Sequence, residues 1–193
     1  MTGSMLVMNS LGALSQDGIS RSFDADADGF GRGEGIGFVV LKRLSDAIRD
    51  GNTIRAVIRA NCANQDGHTS SIVQPNSTAQ KDLIQLAYRN LDLSVTRYIE
   101  AHGTGTRLGD SLEAEAINSV FQPTADRPLF VGASKSNFGH LEAASGILSL
   151  IKTVLVLEHG EIPPNNFFNK PNPRIVEMGA HLKVSGLSFK HLA

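Results

Sequence analysis

"LFVGASKSNFGHLEAASGILSLIKTVLVLEHG", residues 129–160, decides the fold of this chain. It opens on a short apolar run, Leu129 to Ala133, of strand character. It closes on an apolar series of helix length, Leu141 to His159. Leu148, Leu150, Ile151, Val154, Leu155 and Val156 cover that helix nearly all round, so it is expected to be buried. Gly160 stops it, and Pro163-Pro164 prevents its resumption. Strand, polar loop, long helix is the repeating unit of a parallel α/β sheet.

The alternation continues outward. Thr96 to Ala101 (TRYIEA) is strand-like and runs straight into the loop His102-Gly103-Thr104-Gly105-Thr106. Asp110 is expected to cap a helix from Ser111 to Phe121, with Glu113 at N3 in a capping-box-like pair. Ser77 to Asn90 reads as a helix with Leu83, Leu86 and Ala87 on one face. Further upstream, Gly35 to Leu41 reads as a buried strand, Leu44 to Asp50 as a short helix, and Thr53 to Asn61 as a second strand. Together these predict an α/β fold with a mostly buried sheet.

Length and composition narrow the classes. At 193 residues the chain can bury one sizeable core, and 41% hydrophobic with 19% charged residues is ordinary for a globular domain. A net charge of −1 gives no basic field for nucleic acid or an anionic membrane. No apolar run reaches transmembrane length, and the N-terminus lacks the pattern of a secretory signal. The single cysteine, Cys62, excludes an intramolecular disulfide framework and fits a reducing, cytoplasmic setting. Asn76-Ser77-Thr78 spells a glycosylation acceptor, which in that setting is chance.

Residues 21–41, "RSFDADADGFGRGEGIGFVVL", imitate a calcium loop through Asp24, Asp26, Asp28 and Gly29. Counted from Asp24, however, the position of the bidentate Glu is Gly35, and the ninth position is Arg32. Gly31, Gly33, Gly35 and Gly37 alternate by two, matching neither phosphate-loop pattern. An acidic turn feeding a strand explains the stretch.

Two glycine-flanked histidines stand where strands are expected to end. His102 lies in "EAHGTGTRLGD" and His140 in "GASKSNFGHLEAASG". Loops at the carboxyl ends of strands in an α/β sheet are the usual ligand positions. Lys135, Asn137 and Glu142 surround His140, and Lys135 and Glu142 are expected to pair. Thr104 and Thr106 add hydroxyls. Two neutral imidazoles could donate to one developing oxyanion, or one could move a proton. A metal is not expected, because His68, Cys62, Asp66 and Asp110 share no ligand spacing. A serine hydrolase is not expected either, since Gly132-Ala133-Ser134-Lys135-Ser136 lacks the final glycine of a nucleophile elbow.

"EAHGTGTRLGD", "SKSNFGHLEAASG" and "EHGEIPPNNFFNKPNP", in this order, closely resemble the β-ketoacyl synthase (condensing) domain of type I polyketide synthases. "RSFDADADGFGRGEGIGFVVLKRLSDAIRDG" and "CANQDGHTSSIVQPN" are similar to the fungal reducing type. The resemblance covers almost all of residues 3–180 and implies a partial thiolase-like fold. Residues 1–52 would end the N-terminal half, 53–180 would form the C-terminal half, and 181–193 a truncated tail. It also implies a decarboxylative Claisen condensation, in which a malonyl unit on an acyl carrier protein loses CO2 and attacks an acyl thioester. His102 and His140 would promote decarboxylation and stabilise the enolate oxygen. Lys135, paired with Glu142, would hold the charge balance. Thr104 and Thr106 would contact the carrier protein's phosphopantetheine arm, with no cofactor bound directly. For the intact protein the resemblance implies a homodimer, as is usual in the family, and leaves the state of this chain open.

The family's nucleophilic cysteine belongs to a "TACSS"-like motif upstream of Met1, and Cys62 in "RANCANQDG" lacks that context. Cys62 is expected to be a small buried thiol, and the chain alone is expected not to condense. An isolated half-domain is expected to expose apolar surface and associate. A non-catalytic remnant that binds a carrier protein, or one that decarboxylates without condensing, is the alternative.

Overall fold

The computed structural model describes residues 2–71, 74–179, 181–186 and 190–191. The chain opens with helix α1 (Thr2–Ser10), which no sequence pattern announced, and continues to the short α2 (Leu44–Arg49). Helix α3 (Ser77–Ala87) starts where Asn76 accepts the amides of Thr78 and Ala79. Strand β1 (Tyr98–Glu100) leads to α4 (Arg107–Phe121), and β2 (Leu129–Gly132) to the one-turn α5 (Lys135–Phe138). A 3-10 turn over Glu142–Ala144 feeds the long α6 (Ser145–His159), which ends on Gly160 in the left-handed region, as a C-terminal glycine does. Strand β3 (Glu161–Ile162), helix α7 (Pro173–Glu177), and strands β4 (Leu182–Val184) and β5 (Lys190–His191) complete the order. The tail expected from residue 181 therefore supplies a strand; residues 187–189 and 192–193 of it lie outside the described residues.

Strands β1, β2 and β4 form a parallel sheet in that order, with Glu100 opposite Gly132. β3 and β5 make a separate antiparallel pair. The core lies between the parallel sheet and α4. Ala114, Ile117, Val120 and Phe121 of α4 meet Leu129 and Val131 of β2, with Phe23, Ala101, Ala133 and Ile175 around them. Helix α3 packs on α4. Its inward residue is Ile84, continued by Tyr88 just past its end, whereas Leu86 of the expected face is exposed.

Three expectations change. Residues 35–41 are extended but pair with no strand among the described residues. A Cβ on Gly35 would run into Leu141, and one on Gly37 into Ile147 of α6, while Ile36, Phe38 and Val40 are 88–98% exposed and Leu41 is exposed with them. Residues 53–61 likewise form no strand, and Ile54, Val57 and Ile58 are exposed. Helix α6 is not enclosed. Val156 and Lys152 are buried, but Leu155 and Leu157 are exposed. One cause serves all three: periodicity fixes which face is apolar, and no described element covers these faces. A cavity of about 370 Å³ is walled by Leu148, Ile151, Leu155 and Phe138. No helix among the described residues is long and apolar enough to cross a membrane.

Candidate active site

Because β1 and β2 are parallel, the loops after them leave the sheet side by side. The amide of Ala101 still donates to Gly132, at 2.8 Å, and the next residue is His102. Its loop is held from beneath by α4. The two oxygens of Glu113 accept the amides of His102 at 2.7 Å and Gly103 at 2.8 Å. Asp110 accepts the amide of Phe23 at 2.6 Å and that of Gly105 at 3.1 Å. Gly103, at a φ of +45°, lies so close to Ala133 that a Cβ would come within 2.5 Å of the alanine side chain. The helix begins at Arg107 rather than Ser111, so Asp110 and Glu113 are not capping residues. Both turn back to hold the histidine loop.

His140 is placed by the stretch that imitated a calcium loop. Its amide donates to Gly31 at 2.7 Å, and its carbonyl accepts from Gly33 at 3.0 Å. Glycine is required at 33, where a Cβ would stand 2.2 Å from the Phe138 carbonyl oxygen. Asp26 pairs with Lys170 at 3.3 Å, and Asp28 accepts the amide of Gln16. Asp24, fully buried, accepts the amides of Asp26, Asn169 and Lys170 at 2.6–2.9 Å.

The two imidazoles meet edge to face, with ring centres 5.7 Å apart and planes at 85°. The Phe30 ring lies 4.9 Å from that of His140. Nδ1 of His140 accepts the amide of Glu142 at 2.9 Å and lies 3.3 Å from the Ser145 hydroxyl. An amide always carries its proton, so Nδ1 does not, and the neutral ring presents its proton at Nε2. Burial is the main force lowering the pKa of both rings. For His102 it is joined by the Lys135 charge and by His140, and the value falls to about 4 although the residue as a whole is exposed. For His140 the charges of Lys135 and Arg32 add to the effect and Glu142 opposes it. The pair is therefore neutral at pH 7, with one donor N–H each.

Lys135 is buried, and its expected partner is a different acid. Glu142 forms its ion pair with Arg32, closing a bridge from the glycine stretch to the His140 loop. Lys135 instead faces Glu113, Glu100 and Asp110, whose charges oppose the lowering of its pKa by burial. Gly139 at a φ of +74° and Glu142 at +53° turn the chain between the two residues, leaving Lys135 inside and Glu142 at the rim. Burial raises Glu113, against the two amides it accepts, and raises Asp110 to about 7. Thr104 is buried and Thr106 half-buried, with their hydroxyls 3.3 Å apart beside the histidine loop.

Sequence reasoning singled out the histidines, Lys135 and the threonines, and the structure brings the two imidazoles together. It missed Glu113 as the residue holding His102, because the capping-box pattern offered a sufficient explanation. It missed Arg32, whose partner lies 110 residues away. Cys62 is exposed rather than buried, as are His68 and Asp66, while Asp110 is committed to two amides. Among the described residues no group of three His, Cys, Asp or Glu is arranged to hold a metal ion.

Comparison with known proteins places the chain in a family. Residues 55–169 match the model of the beta-ketoacyl synthase C-terminal domain, and residues 2–47 that of its N-terminal domain. The chain is 52% identical over 183 residues to highly reducing polyketide synthase 40 of Fusarium mangiferae, covering 93% of this chain and 7% of that protein. It is 53% identical over 176 residues to highly reducing polyketide synthase NEC1 of Pyricularia oryzae, covering 89% of this chain and 6% of the relative. The chain thus spans a small fraction of the curated relatives it matches. Among solved structures, the ketosynthase from module 6 of the bacillaene synthase of Bacillus subtilis superposes with a TM-score of 0.94 at 36% identity. The whole of this chain corresponds to 35% of that one. The oxazolomycin ketosynthase domain OzmH KS7 of Streptomyces albus gives 0.93 at 33% identity, over all of this chain and 34% of that one. The architecture is the thiolase-like fold of ketosynthases, in part, and the chain belongs to the beta-ketoacyl synthase family.

Proposed function

We propose that these residues form the histidine side of a condensing site that extends an acyl chain by decarboxylative Claisen condensation with malonyl-acyl carrier protein. The observation that carries this reading is the pair of neutral, mutually packed imidazoles on the segments that follow two parallel strands. When the malonyl carboxylate leaves as CO2, the electrons of the broken C–C bond form an enolate, and negative charge gathers on the thioester oxygen. Two N–H donors fixed in advance stabilise that charge without reorganising. The enolate carbon then attacks an acyl thioester carbon, and the thiolate departs. Lys135 offsets the negative charge of Glu113, and Glu113 keeps the His102 loop in place.

In the same reading the phosphopantetheine arm of the carrier protein passes Thr104 and Thr106, no cofactor is bound directly, and the working enzyme is a cytoplasmic homodimer. Cys62 lies on an exposed stretch and has no part in the chemistry, so the acyl group is carried by a thiol outside this chain and the chain does not condense alone. The test is the mass of malonyl carrier protein incubated with a condensing enzyme containing this segment. Acetyl and condensed products are expected, and His102→Ala and His140→Ala should each lower their rate by about 10²–10³-fold. Unchanged rates in both variants would overturn the reading.

A further inference from the structure

Behind the histidine loops lies a buried ion pair that the condensation does not touch. Lys152 of α6 places its Nζ 2.7 Å from Oε2 of Glu100 at the end of β1, a close ion contact without hydrogen-bond alignment, and the two side chains are 10% and 4% exposed. A pair this deep pays heavily in desolvation and is weak support for stability alone, which leaves room for a positioning role. Glu100 is engaged at both oxygens. Oε1 accepts the amide of Ser134 at 2.6 Å, and the Tyr98 hydroxyl donates to Oε2. Burial holds the Tyr98 phenol well above its ordinary range, so it stays a donor. Gly132 admits that hydroxyl, since a Cβ there would stand 2.6 Å from it. The Lys152 ammonium also lies 5.9 Å from the centre of the Tyr98 ring. Ser134 immediately precedes Lys135, and its hydroxyl lies 3.2 Å from that of Ser149 on α6.

We propose that Glu100 and Lys152 are positioning residues that fix the start of the 134–140 loop against α6, and through it Lys135 and His140. The proposal rests on reading those two as active-site groups. Glu100 supplies the acceptor for the first amide of the loop. Lys152 holds the carboxylate so that it cannot turn toward water. Near its start the loop has two neutral anchors as well: Asn165 accepts the amide of Ala133 at 3.1 Å, and Asn137 donates to the Pro164 carbonyl at 3.1 Å.

The test is amide hydrogen exchange of the 193-residue chain, residue by residue, with the His140 ring signals followed in the same samples. In Lys152→Met the Ser134 amide is expected to exchange about tenfold faster or more, the scale of one hydrogen bond to a charged group, while Ala114 and Ile117 in α4 keep their protection. The His140 ring signals should move in that variant, and Lys152→Arg should restore both. The reversed pair, Glu100→Lys with Lys152→Glu, should likewise keep the protection of α4 without restoring that of Ser134, because an ammonium cannot accept an amide. Equal losses at Ser134 and α4 in Lys152→Met, or recovery of Ser134 in the reversed pair, would mean a merely structural ion pair and overturn the proposal. No measurement here depends on turnover, so inactive histidines would defeat the proposed function and leave this result standing.

Discussion

At the scale of single residues, protonation governs the site. His102 is held neutral in the fold, near 4 against an ordinary 6.5. The unfolded chain takes up that proton first, so this residue costs no stability above about pH 6.5, and its penalty grows as pH falls toward 4. Denaturant titrations at pH 7 and pH 4.5 should therefore show the native chain losing more stability on acidification than His102→Ala. Asp24 is a second residue whose environment makes a sharp prediction. Three amides converge on its buried carboxylate, and Asp24→Ala strands them. A loss of about 3 kcal/mol or more in urea denaturation is expected, with no dependence on added calcium.

At the scale of elements, the site depends on how closely loops approach. Gly33→Ala would force a methyl into the Phe138 carbonyl, so the pairing of residues 31–33 with His140 must shift. A loss of about 1–3 kcal/mol is expected in denaturant, with displaced His140 ring signals. Asp110→Asn turns an NH2 group toward one of the two amides that the carboxylate now satisfies. It should cost about 1–3 kcal/mol in the same assay. These contacts also mark what the sequence could and could not tell. The strands before His102 and His140, and the α6 stop at Gly160, were legible because each depends on local pattern. The Arg32–Glu142 bridge was not, because residue spacing carries no record of a turn that buries Lys135 and leaves Glu142 at the rim. Glu113 fitted a local capping rule and in fact serves a loop ten residues upstream.

At the scale of the whole molecule, one side is uncovered. Ile36, Phe38, Val40, Ile54, Ile58 and Leu157 are all exposed, although the patterns that contain them call for burial. An apolar face of this kind drives association. Light scattering at micromolar concentration should show oligomers, which Phe38→Ser with Val40→Lys should reduce; a clean monomer of the native chain would contradict this. The solved ketosynthases that superpose on this chain are almost three times its length, so the same surface has more chain to meet in those proteins.

The most direct test of the central claim is an NMR titration of the two imidazoles. Both rings should be neutral at pH 7, each titrating below 6.5, with the His140 proton on Nε2. A ring still charged at pH 7, or a His140 protonated at Nδ1, would contradict the paired-donor site.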